Sequence, residues 1–329
     1  MTIRKRCLLF FFIFFALFSL TVYSAGTSIK PEFTFYFLSH GGPGDPYWQS
    51  FINGANDQAK ILNVKLVYIY PQREGDIGEL IRQLNSTIAS HPDGVGLTIH
   101  NVSGFSVPLL ELKKQKIPVI AFDTVPDPSI QDPRIPYICY VGENSYNAGQ
   151  SVAESTDNKF KLVKGDRIVV INHEAGNPSL ALRFQGITDV LGAKGVLVDQ
   201  LAIPGDDPVQ SQAIIQNYIA KYPNVKVLIT LGPPGYIVAG KVIASNKLIG
   251  KVGFVGWDIS KEAIELIRNG AMAFTANEQP YYIGATAVFL LYMNVKYGFQ
   301  PPPTFNTGLG QVDKDNLENW EKLVESGKG

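Results

Sequence analysis

Short apolar runs recur along the chain, and the gaps between them are long enough for one helix each. "FTFYFL", "KLVYIY", "GVGLTI" and "PVIAF" read as strands, separated by amphipathic stretches near Tyr47 to Leu62, Asp76 to Ser90 and Ser106 to Gln115. This alternation predicts β-α-β units around a parallel sheet. After "YICYV", near Tyr137 to Val141, the beat restarts with "RIVVI", "VLVDQLA", "VKVLIT" and "VGFVGW". Helical stretches again intervene, near Ser179 to Leu191, Pro208 to Lys221 and Gly235 to Ser245. Two similar α/β halves are implied. "IASHPDGVGLTI" and "IAKYPNVKVLIT" repeat one order of helix end, proline turn and strand, although prolines commonly follow helix ends.

In each half a late strand ends on an aspartate: Asp123 in "IPVIAFD" and Asp258 in "VGFVGWD". Ligands of open parallel sheets sit beyond the carboxyl ends of the strands, so both side chains are placed to line such a crevice. Each can equally cap the turn that follows, but the same placement occurs twice. The stretch "SHGGPGDPYWQSF" sets Tyr47 and Trp48 directly after the first strand, with Asp45 beside them. These rings would stand at the lip of the crevice.

Composition narrows the partner. The chain has 29 basic and 29 acidic residues and no long basic run, which argues against nucleic acid and anionic membrane surfaces. Its N-terminus carries Arg4, Lys5 and Arg6, the apolar run Leu8 to Leu20, and "VYSAG". This is the pattern of a cleavable secretory signal over residues 1–25, because the run falls short of the roughly 18 to 20 residues that span a bilayer. A periplasmic or secreted protein is expected. Cys7 leaves with the signal, so Cys139 remains alone, buried in a strand, and no internal disulfide forms. The sequons at Asn85 and Asn101 matter only in a eukaryotic secretory pathway.

Catalytic signatures are missing. There is no G-x-S-x-G, H-E-x-x-H or phosphate-binding loop, and the glycines of "HGGPGDP" lack dinucleotide spacing. The four histidines are dispersed and one cysteine cannot build a thiolate site, so neither metal nor cofactor is expected. Carboxylates, an arginine and flat aromatic rings suit a neutral sugar or polyol: carboxylates accept from pairs of hydroxyls, arginine donates in a fixed fork, and rings cover C–H faces.

The chain resembles periplasmic sugar-binding proteins of the ribose and galactose type over nearly all of its mature length. The resemblance implies the type I periplasmic binding protein fold, two Rossmann-like lobes joined by a hinge of several crossings. The lobes would comprise residues 31–142 with 279–302, and 143–278 with 303–329; the crossings would lie near Val141 to Asn144, Glu278 to Pro280 and Pro302 to Phe305. It further implies that Tyr47 and Trp48 sandwich the sugar, with Asp45 nearby, and that Asp123, Arg183, Trp257, Asp258 and Glu278 contact it. Asn277 and Gln279 are alternatives to Glu278, and Asp206 or Asp207 replaces an aromatic residue of the family. Thr124 and Gly232 stand where the ribose binder has an arginine and an asparagine, which argues against simple ribose recognition. The implied partner is the permease of an ABC importer, met by a monomeric receptor. A sensory role toward a chemoreceptor or kinase, and a secreted enzyme acting on a sugar derivative, are the alternatives.

Overall fold

The structure is a computed structural model that describes residues 30–329; the expected signal segment lies outside the described residues. The first sheet contains β1 (Phe33–Leu38), β2 (Val64–Ile69), β3 (Gly94–Leu97), β4 (Val119–Phe122), β5 (Cys139–Gly142) and β11 (Thr304–Asn306). The second contains β6 (Arg167–Asn172), β7 (Leu197–Ala202), β8 (Val225–Thr230), β9 (Gly253–Trp257), β10 (Phe274–Asn277) and β12 (Gly310–Val312). Their orders are β11-β5-β4-β3-β1-β2 and β12-β10-β9-β8-β6-β7, one doubly wound arrangement used twice. Among the described strands, only β12 runs antiparallel to its neighbour. The two repeated sequence segments lead into β3 and β8, which hold equivalent places in the two sheets.

Around the first sheet pack α1 (Pro46–Ile61), α2 (Ile77–Ala89), α3 (Val102–Lys114) and α9 (Pro280–Tyr297). Around the second pack α4 (Ser145–Phe160), α5 (Pro178–Ala193), α6 (Pro208–Lys221), α7 (Pro233–Ser245), α8 (Lys261–Arg268) and α10 (Leu317–Glu325). Strand side chains alternate between faces, so each sheet carries two apolar layers. In the first lobe Phe35 and Phe37 join Phe51 and Phe122 on one face, whereas Leu38 and Leu97 join Phe105 and Leu109 on the other.

Several elements escaped the sequence pattern for physical reasons. Helix α4 buries only small residues and one valine, Ala148, Gly149, Val152 and Ala153 among them, so it shows no apolar stripe. Helix α9 is apolar on nearly all sides and has no helical period to read. Helix α3 starts at Val102 rather than near Ser106, because the Asn101 side chain caps it by accepting from the Gly104 N–H at 2.7 Å.

The chain passes between lobes at residues 143–144, 278–279 and 307–309. The third passage corrects the expectation that residues 303–329 belong to the second lobe. Thr304–Asn306 pairs with Tyr140–Gly142 in the first sheet, because the strand adds to the exposed edge of β5 before the chain leaves. The C-terminal end also returns to the first lobe, where Asn53 donates to the Gly327 carbonyl at 2.9 Å.

Candidate functional site

The carboxyl ends of the two sheets face each other across a cleft. Eighteen residues from both lobes line it, including Asp45, Tyr47, Trp48 and Asp123 from the first and Arg183 and Asp258 from the second. The gap between the lobes, its open mouth included, amounts to about 370 Å³. The lobes are therefore closed onto a narrow slot. Direct contacts cross it: the Ser179 hydroxyl donates to the Asp123 carbonyl at 3.2 Å, and His40 Nε2 lies 3.3 Å from Glu174 Oε2.

Local sequence explains the first wall. Asp45 is the N-cap of α1 and accepts from the Tyr47 N–H at 2.8 Å, with Pro46 opening the helix, a pairing that suits the first turn. Tyr47 and Trp48 thereby enter the cleft on that turn. The Tyr47 hydroxyl donates to Asp123 Oδ1 at 2.7 Å and the Thr124 hydroxyl to Asp123 Oδ2 at 2.6 Å. The two rings meet at 88° with centroids 4.8 Å apart. They form a corner rather than two parallel walls, so a flat sugar ring can lie on one of them only, which corrects the expected sandwich.

Asp123 and Asp258 hold matching backbone conformations at the ends of β4 and β9, with φ of 59° and 69°. This left-handed region is open to few residues besides glycine, asparagine and aspartate. Asp258 accepts from the Glu278 N–H at 3.3 Å. Of the three candidates in that segment only Glu278 lines the cleft; Asn277 sits in β10, and the Gln279 amide donates to the Thr307 carbonyl at 2.8 Å.

Arg183 is fixed on every side. Its Nε donates to Glu143 at 2.6 Å, one terminal nitrogen to Glu278 at 2.6 Å and the other to the Leu231 carbonyl at 3.0 Å. Glu143 and Glu278 belong to two of the three passages between lobes, so this guanidinium staples the hinge at the wall of the slot. Burial disfavours the charge, but Glu143 and Glu278 outweigh it and hold the Arg183 pKa well above its usual range. The Arg183 carbonyl touches Gly149 so closely that a Cβ there would overlap it, which sets the distance between α4 and α5.

Trp257 departs from expectation. It is wholly buried, belongs to the second lobe's apolar layer and does not line the cleft. Its ring packs on Arg183, 4.4 Å from the guanidinium carbon, because Trp257 is the last residue of β9 and stays within the apolar layer of the sheet, whereas Asp258 lies past the strand end in a left-handed conformation that turns it into the cleft. Asp206 and Asp207 also lie elsewhere: Asp206 borders a neighbouring depression, and Asp207 caps α6 by accepting from Val209 and Gln210 N–H groups.

Carboxyl groups dominate the slot. Burial pushes the Asp45, Asp258 and Glu278 pKa values well above the usual carboxylate range, and lifts Glu74 to about 7. Burial lowers His173 to about 4. Sequence reasoning overlooked His40, Glu74, Glu143, His173 and Glu174, which all sit at or beside the slot. Burial alone would pull His40 down, but Glu174, Asp123 and Glu74 hold it up to about 9. Burial would likewise raise Glu174, yet His40 and His100 keep it well below its usual value. The available signal was position, since His40, His100, His173 and Glu174 all fall one to three residues beyond a strand end, as Asp123 and Asp258 do.

Two lobes of parallel sheet, hinged by three passages and closed on a polar slot, define a bilobal solute-binding protein. The chain belongs to the family described as "Periplasmic binding protein domain", matched over residues 35–298. It is 22% identical over 300 residues to the xylose/arabinose-binding protein XylF of Sulfolobus acidocaldarius, covering 88% of this chain and 73% of that protein. A crystal structure of an ABC sugar transporter's periplasmic sugar-binding protein from Legionella pneumophila superimposes with a TM-score of 0.78 at 26% identity, covering 84% of this chain and 100% of that one. A carbohydrate transporter from Acidothermus cellulolyticus 11B, crystallised with myo-inositol, reaches a TM-score of 0.81 at 23% identity, covering 91% and 100%. Among the described residues, no helix is long and apolar enough to cross a membrane.

Proposed function

We propose that the protein captures a monosaccharide or polyol in the slot between its lobes and delivers it to an ABC importer. The observation that carries this reading is the pairing of Asp123 and Asp258 from opposite lobes on one cavity that Tyr47 and Trp48 also line. Charge-assisted hydrogen bonds contribute about 1.5 to 3 kcal/mol each. Three or four of them, with one stacked ring, suffice for roughly micromolar affinity, about 8 kcal/mol, after the costs of association. The sugar ligands named for the family relatives point to the same class, and Thr124 and Gly232 direct it away from a ribose-type contact set.

The protein acts in the periplasm or outside the cell, exported by the signal at residues 1–25, and as a monomer, since each chain supplies both walls of its slot. A sugar touching both walls favours the closed lobes, because only differential affinity shifts such an equilibrium. The closed pair is the surface a permease would read. A thermal-shift panel of pentoses, hexoses, inositols and acyclic polyols tests the assignment. A true ligand at a hundred times its dissociation constant stabilises by about 2.7 kcal/mol; a flat response across the panel would remove the sugar reading.

A further inference from the structure

His40, His100 and Glu174 converge from three strand ends, and their candidate ligand atoms all lie within 4.8 Å of one another. His40 follows β1, His100 follows β3 and Glu174 follows β6. The cluster thus draws two groups from the first lobe and one from the second. His40 and Glu174 line the slot, whereas His100 stands behind them.

We propose that these three side chains form a binding site for a divalent transition metal of the zinc type, placed in the wall of the slot and clasping the two lobes. Four observations converge on it. Nε2 of His40 lies 3.3 Å from one Glu174 oxygen and Nε2 of His100 lies 3.4 Å from the other. The edge of a tetrahedron with metal–ligand bonds of 2.0 to 2.1 Å is about 3.3 to 3.4 Å, so each imidazole stands at ligand-to-ligand spacing from its own oxygen of Glu174, and small shifts bring all three groups onto one ion. Nδ1 of His100 is buried without a hydrogen-bond partner and its Nε2 faces only Glu174, an arrangement that leaves donor capacity unused in a buried site. Nδ1 of His40 stands 3.2 Å from Thr98 Oγ1; in the metal-bound form its N–H donates there, orienting Nε2 toward the ion as in other histidine sites.

The donor set of two imidazoles and one carboxylate suits zinc, cobalt or nickel better than calcium or magnesium, which prefer oxygen donors. Three protein ligands leave one position for water or for a hydroxyl of a bound solute. Because Glu174 belongs to the opposite lobe, the ion would bind the closed form better than the open one. Metal and sugar would then raise each other's affinity by the same factor.

The test uses the mature protein, stripped with a chelator and titrated with Co²⁺ in the spectrophotometer and with Zn²⁺ by calorimetry. The expected result is one ion per chain, with the intense visible bands of four-coordinate Co²⁺. His100→Ala and Glu174→Gln, each confirmed as folded by circular dichroism and thermal melting, are expected to weaken Co²⁺ binding by at least about tenfold. A plain His40–Glu174 ion pair with no metal function would show no binding by the wild type, or binding that both variants leave unchanged. Either outcome overturns the proposal. The readout requires no sugar, so it stands or falls separately from the sugar assignment.

Discussion

Arg183 and Glu278 are held 2.6 Å apart by a wholly buried ion pair, which links a helix of the second lobe to the passage that re-enters the first. Glu143, on another passage, grips the same guanidinium. One side chain therefore holds two of the three hinge segments at the back of the slot. Arg183→Met would strand both carboxylates away from water. Removing one partner of a buried pair typically costs about 3 to 5 kcal/mol, so chemical denaturation should register a loss of that order. Stability equal to the wild type would show that the hinge does not depend on this staple.

Tyr47 combines a ring in the slot with a hydroxyl bound to Asp123. Tyr47→Phe keeps the ring and removes only the donor. A hydrogen bond to a charged group contributes about 1.5 to 3 kcal/mol, so sugar affinity measured by calorimetry should fall about tenfold or more, because Asp123 loses the group that aims it. If Tyr47→Phe binds as the wild type does, the hydroxyl has no part in shaping the site.

Gly149 sets the approach of α4 to the carbonyl of Arg183. Gly149→Ala should force the helices apart and cost about 1 to 3 kcal/mol, the usual range for overpacking, with a parallel loss of sugar affinity as Arg183 shifts. Gly192→Ala is the control. It sits near the end of α5, where the nearest atom to a new Cβ is 4.0 Å away, and it should be neutral or slightly stabilising in thermal unfolding. Equal effects at both positions would contradict the close-packing account.

Cys139 is fully buried in β5. Burial raises its thiol pKa to about 11, and the thiolate is the reactive species. At pH 8 only on the order of one thiol in a thousand is ionised. A thiol reagent should label the native mature protein far more slowly than the denatured protein, which should take up one equivalent. Native labelling at the denatured rate would place Cys139 outside a stable core.

The parts of the fold and site that were readable in the sequence are those written in local pattern. Strand runs such as "VKVLIT" predicted β8 residue for residue, and Pro208 with Lys221 bounded α6 as expected. Asp45, Tyr47, Asp123 and Asp258 line the slot, and that position was readable because each lies next to a strand or helix end. Trp257 was misread because it neighbours Asp258 in sequence, while the strand end falls between them: Trp257 stays in the apolar layer and the left-handed Asp258 turns into the cleft. Glu143, His100 and Glu174 acquire meaning only from partners some 40 to 134 residues away, as with Arg183 against Glu143 and His40 against Glu174. No local spacing encodes that convergence. Strand β11 was missed for the same reason, since three residues on a sheet edge carry no apolar run of their own.

The central claim is that aspartates of opposite lobes grip one sugar. Calorimetric titration of the best ligand from the thermal-shift panel into the wild type, Asp123→Asn and Asp258→Asn tests it most directly. Each substitution should weaken binding by about tenfold or more, as expected when a side chain that accepts from the sugar's hydroxyls is replaced by one that leaves a buried polar group unsatisfied, at about 1 to 3 kcal/mol. Binding unchanged in both variants would contradict the account, because the sugar would then lie somewhere other than the slot between the lobes.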